Sequence, residues 1–445
     1  MEKMTHQPAA SDPNEQRRQP DRARRARQAL ELLPTLDSGQ RTHALAKAIL
    51  EDARRECASD IHLDPVEAGY AVRFRIDGIL GEALSLPQEL GIHLVHLLKA
   101  HAELDPGFAL LPQDGLASLA VEGGEISVRV ATAPGVRGEK VAVRLLDRAL
   151  TVPPLNLLGL SAADHATLQG ALQDVQGMIL ISGPTGSGKT TTLYALVREL
   201  ARSGRSIVTI EDPVECVLDG VTQMHVNRRQ GLTYAEGVKG LLRLDPDALV
   251  LGEMRDATSA RAALDAADSG HIFLSTLHAR DAAGVLSVLR NFGLLDHEIA
   301  ATVEVLVAQR LVRRLCPACR VLEAVTTDEA EWLERCGQPV PEKSWHAVGC
   351  AECSGSGYRG RTGVFEVHRL READADLILA HADERTFRQH LAGPMGLRLL
   401  LDDLQKVSEG ITSLSEFRTI GGMSFFAQDL PAVKAEKEIR RSSDD

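Results

Sequence analysis

The sequence predicts an α/β protein organised on a mainly parallel sheet, with a smaller α+β domain ahead of it. Three observations predict this. Residues 183–190 read G-P-T-G-S-G-K-T and fit the phosphate-binding pattern G-x-x-x-x-G-K-[ST] at every fixed position. Apolar strands at 178–182, 206–210, 248–251 and 272–276 are separated by helical patterns, as in a parallel sheet. Upstream, Val72, Phe74 and Ile76 alternate with Arg73 and Arg75, and Ile126, Val128 and Val130 alternate likewise. Such half-buried strands suit a separate small domain.

The glycine stretch has the context its chemistry needs. The apolar run 178–181 precedes it as a strand, and Leu193, Leu196, Val197 and Leu200 follow at the spacing of a helix with one buried face. A chance glycine turn lacks both flanks. Gly183, Pro184, Thr185, Gly186, Ser187, Gly188, Lys189, Thr190 and Thr191 are therefore the nucleotide-binding residues. Glycines let backbone N–H groups close around phosphate oxygens, and the helix N-terminus adds its positive dipole end. Lys189 would reach the β- and γ-phosphates, and the Thr190 hydroxyl would sit on Mg²⁺. The pattern predicts binding of a nucleoside triphosphate.

Composition narrows the class. A chain of 445 residues has room for two or three domains. Its net charge of −12 and 3% aromatic content disfavour a dedicated nucleic-acid binder, which needs basic surface or stacking platforms. No apolar run is long enough to cross a bilayer, and the N-terminus lacks a signal-peptide core, so a cytoplasmic location is expected. Seven cysteines, unevenly placed, do not form a disulfide framework.

In order, residues 1–41 read as a flexible basic arm with a short helix near 26–33, and order is expected from Thr42. Residues 42–150 form the α+β domain: an amphipathic helix through Ala46, Ile49, Leu50 and Ala53, strands near 72–76, 126–130 and 141–146, and turns at Asp77-Gly78 and Pro134-Gly135. Residues 151–156, with Pro153-Pro154, are a stiff connector, and 157–315 hold the sheet domain. A cysteine-bearing insertion spans 316–353, residues 354–420 read as helical, and 421–445 are a tail.

Cys316-Pro317-Ala318-Cys319 and Cys350-Ala351-Glu352-Cys353 are two C-x-x-C pairs. In a reducing compartment this spacing favours a closed, structural tetrahedral Zn²⁺ site in which each pair bites one metal. The alternative is two unrelated reduced pairs or a redox pair. Cys57, Cys216 and Cys336 are left as free thiols.

Three further stretches fall at strand ends, where an open parallel sheet places its ligands. They are T-I-E-D-P-V-E at 209–215, G-E-M-R-D at 252–256 and G-H-I-F-L-S-T-L-H at 270–278. An acid just past an apolar strand can hold Mg²⁺ and orient an attacking water.

Together these motifs resemble the type II secretion and type IV pilus assembly ATPases, hexameric motors of the bacterial inner membrane. The phosphate loop, the aspartate box I-E-D-P-V-E, the Walker B segment G-E-M-R-D and the histidine box are all similar, as are A-S-D-I-H-L-D-P, R-F-R-I-D-G and P-Q-D-G upstream. The likeness covers roughly residues 42–420. It implies a RecA-like P-loop ATPase core, a PAS-like N-terminal domain, a zinc-binding insertion and ATP as substrate. By the resemblance Glu253 acts at the metal and water, Glu211 helps polarise the nucleophile, and His278 and His271 sense the γ-phosphate. Arg129 and Arg144 of the first domain reach the phosphates, and Arg243 matches another basic position of the motor. The four-cysteine element matches the assembly and secretion branches.

The chain departs from the family pattern around P-Q-D-G. Arginines usual there are replaced by Ala109, Leu110, Leu111 and Leu116, and Lys239 stands for an arginine. A lysine cannot make the bidentate fork. The resemblance further implies a homohexamer, attached to the inner membrane through a platform protein and powering pilus assembly or secretion. Two rivals are a nucleic-acid translocase and a nucleotide-dependent scaffold with weak turnover; ATPase measured with and without DNA separates them.

Overall fold

The computed structural model describes residues 22–32, 38–146, 152–174, 176–336, 338–392 and 398–420. The start of the basic arm, the first part of the connector and the C-terminal tail lie outside the described residues.

The first domain contains α1 (Arg24–Leu32), α2 (Ser38–Arg55), β1 (Asp60–Val66), β2 (Gly69–Ile76), β3 (Ile79–Leu86), α3 (Gln88–His101), β4 (Gln113–Val121), β5 (Gly124–Gly135) and β6 (Gly138–Leu146). Its strands form one antiparallel sheet in the order β3-β2-β1-β6-β5-β4. The alternation read in the sequence decides the faces. Val72, Phe74, Val128, Val130, Val141 and Val143 point into a core closed by the helices. The other face carries charge. Across it Arg75, Asp60, Arg144 and Arg129 stand in one cross-strand row.

The basic arm is corrected in part. Order begins before Thr42: α1 is docked on the first domain, with Ala23 and Ala26 buried against α2. The Ala26 N–H donates to Asp52, whose carboxylate is buried in the same contact, at 2.9 Å. Arg25 bridges Glu51 and Glu122 at 2.7 and 2.6 Å.

The second domain begins with α4 (Ala162–Ala171) and β7 (Gly177–Ser182). It continues through α5 (Lys189–Arg202), β8 (Ile207–Glu211), β9 (Thr222–His225), α6 (Tyr234–Leu241) and β10 (Ala248–Leu251). Next come α7 (Ala257–Asp268), β11 (Ile272–Leu277), α8 (Ala282–Asn291), α9 (Asp296–Thr302) and β12 (Val303–Leu315). The cysteine segment adds β13 (Val321–Ala324), α10 (Thr327–Arg335) and β14 (Lys343–His346). After it come β15 (Tyr358–Arg369), α11 (Glu372–Leu379), α12 (Glu384–Ala392), α13 (Arg398–Ser408) and α14 (Leu414–Ile420).

The large sheet has the order β15-β12-β7-β11-β10-β8-β9 and is parallel except where β15 runs antiparallel to β12. Two apolar layers flank it, one under α6, α7 and α8 and the other under α4 and α5. The central strands are buried along their whole length, which explains their continuous apolar sequence. Residues 358–369, read as helical, form a strand instead, and β12 was not foreseen. The cysteine segment is thus an excursion between two paired strands. Its α10 packs Trp332 and Leu333 on Leu400, Val407 and Leu414 of the C-terminal helices.

Candidate nucleotide site and metal centre

The phosphate loop leaves β7 at Ser182 and enters α5 at Lys189. Its glycines are required by geometry. A Cβ at Gly183 would lie 2.5 Å from Ser187 Oγ and 2.6 Å from the Gln309 carbonyl oxygen, and Gly188, at φ 88°, is left-handed. Gln309, 1% exposed on β12, supports the loop from below by donating from Nε2 to the Ser187 carbonyl at 2.7 Å. Sequence reasoning missed this residue, because the strand that carries it was not foreseen.

Lys189 curls over the loop. Its ammonium donates to the carbonyls of Gly183 at 2.8 Å and Pro184 at 3.3 Å, and lies 3.5 Å from His278 Nδ1. Burial holds it below its ordinary pKa while the Glu253 charge pulls the other way. Glu253, just past β10, is gripped by His278 Nε2 at 2.7 Å and Arg255 Nε at 2.6 Å. Arg255 also stands 3.6 Å from Asp212. Glu211 ends β8, buried, and accepts from Thr209 Oγ1 at 2.6 Å, from Gln223 Nε2 at 3.0 Å and from the Tyr194 hydroxyl.

Lys189, Glu211, Asp212, Glu253, Arg255 and His278 line one cleft of about 1020 Å³ whose opposite wall is the first domain, including His62, Arg75, Arg129 and Arg144. Arg129 is held by Asp114 through two bonds of 2.8 Å, and Arg144 by Asp60 at 3.1 Å. Both ring nitrogens of His62 are buried without a hydrogen-bond partner among the described residues. The two domains also touch where Asp77, at the β2–β3 turn, accepts from the Gly360 N–H at 2.9 Å.

His271 and Arg243 fall elsewhere. His271 stands just before β11 and bonds Ser269 Oγ at 2.9 Å, whereas His278 follows the same strand at its other end. At about 3.3 Å per residue the strand separates them by roughly 20 Å. Arg243 is exposed on the 3₁₀ turn 242–244, before β10, the edge of the sheet opposite Glu253. Neither lines the cleft.

The residues present fit the groups expected. The loop offers a glycine cradle, and Ser187 Oγ is buried without a partner among the described residues. Thr190, Glu211 and Glu253 bring oxygen donors to the same cleft, a set that suits a hard cation such as Mg²⁺. Away from it, Cys316, Cys319, Cys350 and Cys353 place their sulfurs within 4.8 Å of one another. The Cys316–Cys350, Cys319–Cys353 and Cys350–Cys353 separations are 3.8, 3.8 and 3.7 Å. A tetrahedron of Zn–S bonds of about 2.3 Å requires about 3.8 Å, whereas a disulfide requires about 2.05 Å. N–H groups of Cys350 and Gly357 point at Cys353 Sγ, at 3.1 and 3.2 Å, which favours thiolate there. Cys216 and Cys336 are free in the structure, as is Cys57.

A glycine loop between a parallel strand and a helix, with acids at neighbouring strand ends, defines a P-loop nucleotide-binding protein. The family described as Type II/IV secretion system protein matches residues 36–419, and the chain belongs to that family. The type II secretion system ATPase E of Vibrio cholerae is 41% identical over 372 residues, covering 84% of this chain and 74% of that protein. The putative type II secretion system protein E of Escherichia coli is 40% identical over 385 residues, covering 85% and 77%. Among solved structures, the Legionella pneumophila ATPase DotB superimposes with a TM-score of 0.61 at 23% identity, over 84% of this chain and 94% of that one. The pilus retraction motor PilT, solved with bound ADP, gives 0.57 at 22% identity, over 84% and 96%. These two likenesses concern the fold, and they agree with a RecA-like core.

Proposed function

We propose that this protein is an Mg²⁺-dependent ATPase motor that powers type II secretion or type IV pilus assembly from the cytoplasmic side of the bacterial inner membrane. The observation that carries this reading is the shared cleft. Lys189, Glu253 and His278 line it from one domain, and Arg129 and Arg144 from the other. Membership of the secretion family and the ATPase named among the relatives supply the biological setting. No described helix is long and apolar enough to cross a membrane, so attachment would run through a platform protein. Work as a homohexamer belongs to the same proposal.

Residues 183–191 would hold the triphosphate, with Lys189 turning from its backbone carbonyls to the β- and γ-phosphates. Mg²⁺, held through Thr190, would neutralise charge on those oxygens. Glu253 would take its place beside the attacking water after leaving Arg255 or His278, and His278 would exchange Glu253 for the γ-phosphate. Arg129 and Arg144 would leave Asp114 and Asp60 to meet charge that develops during transfer.

Lys189→Ala is expected to abolish turnover and weaken nucleotide binding. Glu253→Gln is expected to bind ATP while hydrolysing it ~10²-fold or more slowly, the scale of a general-base effect. Steady-state phosphate release with equilibrium nucleotide binding checks both. Parental turnover in either variant would sink the reading.

A further inference from the structure

The geometry points to Tyr194 as a positioning residue for ATP hydrolysis, holding Glu211 and the loop after it in place from the helix that begins at Lys189. The inference rests on the function proposed above and extends it to a residue outside every motif position invoked so far.

Tyr194 lies one turn beyond Lys189 and Thr190 on α5, buried and outside the cleft lining. Its hydroxyl makes two contacts that no apolar core residue could make. It donates to Glu211 Oε2, and it accepts from the Glu215 N–H at 3.0 Å. Burial, reinforced by the neighbouring Glu211 charge, pushes the phenol well above its ordinary pKa, so the proton stays on Tyr194 and the carboxylate accepts. Thr209 and Gln223 load the other oxygen, Oε1. Glu211 is thereby fixed in rotation by three donors from three elements, α5, β8 and β9.

The second contact extends the effect. Glu215 lines the cleft with Arg144. Burial raises its carboxyl and the Arg144 charge opposes that rise. One hydroxyl on the phosphate-binding helix thus sets both the buried acid at the end of β8 and the backbone of Glu215, which shares the cleft with a first-domain arginine. An ordinary core tyrosine accounts for the ring's packing but not for a phenol turned onto a carboxylate 3% exposed.

Tyr194→Phe keeps the ring and removes both contacts. In the full chain it is expected to lower kcat by roughly 10-fold or more, the size of a lost hydrogen bond to a charged group, with KM for ATP within about twofold. Gln223→Leu, on a separate strand, is expected to act in the same direction and serves if Tyr194→Phe fails to fold. The decisive measurement repeats Tyr194→Phe in a Glu211→Gln background. A positioning role acting through Glu211 makes the second loss much smaller than the first. Equal losses in both backgrounds, a loss confined to KM, or parental kcat overturn the assignment. Turnover that survives Lys189→Ala overturns the reading of the site itself, and the role of Tyr194 with it. Turnover abolished by Lys189→Ala, with Tyr194→Phe at parental kcat, overturns only the Tyr194 role.

Discussion

His62 sits in the middle of the first domain's charged sheet face, with Asp60 and Asp64 along its own strand and Arg73 and Ala142 across from it. Burial lowers its pKa, and the charges of Lys140 and Arg75 lower it further against the weaker pull of Asp60 and Asp64. The folded state therefore binds a proton less readily than the unfolded chain. The unfolded chain holds more protons below its ordinary value of about 6.5, so stability falls as pH drops through that value toward the folded pKa. His62→Gln is expected to remove this component: melting temperature compared between pH 7.5 and pH 5.5 should fall less in the variant than in the parent.

Arg129 and Arg144 make the contrasting case. Their side chains are 44% and 54% exposed, so their ion pairs with Asp114 and Asp60 add little to stability. Alanine at either place is expected to leave melting within about 1 kcal/mol of the parent. It should still cut turnover by ~10²-fold or more, the size of a lost transition-state contact. Lysine should restore only part, lacking the fork. Thermal melting and single-substrate kinetics together check the pair. What was legible at this scale followed strand direction. Lys189, Glu253 and His278 come after their strands, Glu211 closes its own, and the four converge. His271 and Arg243 come before theirs, and an open parallel sheet gathers ligands at its carboxyl ends. The supports of Glu211 and of the phosphate loop could not be read, because Tyr194 and Gln223, which hold Glu211, and Gln309, which holds the loop, arrive from other segments.

Among the elements, the strands that were easiest to foresee are those buried on both faces: β7, β10 and β11 show unbroken apolar runs. β12 and β15 escaped notice for a physical reason. Gln309, Arg310, Arg313, Glu366 and His368 interrupt their apolar pattern; Gln309 Nε2, Arg310, Arg313 and Glu366 bond to distant segments, while His368 bonds Glu366 on the same strand. Docking of α1 was equally hidden, since its buried residues are alanines and its anchor is Asp52. The cysteine element, by contrast, was written in its spacing. One zinc per chain is expected in chelator-washed protein, and Cys350→Ser should lose it together with local protection of β13, β14 and α10 from hydrogen exchange. Metal analysis of protein purified under reducing conditions checks the first point, and a metal-free result there would refute it.

For the molecule as a whole, the working parts of the proposed site belong to two domains, and one described tie between them is small. Asp77 accepts from the Gly360 N–H at 2.9 Å and stands 3.8 Å from Arg361. Its φ of 49° is left-handed, so glycine can replace it without backbone strain. Asp77→Gly is expected to loosen the domains by about 1 kcal/mol, the worth of one such bond, and to widen the distance distribution seen by solution scattering. An unchanged scattering profile would show that other contacts hold the closed arrangement.

The long pair β12 and β15 has one more consequence. The chain leaves the sheet at Leu315, folds the whole cysteine segment, and only then returns at Tyr358 to complete the outer edge. Cys316 and Cys319 stand at the exit and Cys350 and Cys353 at the return, so a metal bound there would close the detour at its neck. A chain made during zinc shortage would keep its phosphate loop yet leave β12 with one bare, partly apolar flank, the kind of edge that invites wrong pairing. Metal binding would then couple the folding of the cysteine segment to the completion of the sheet.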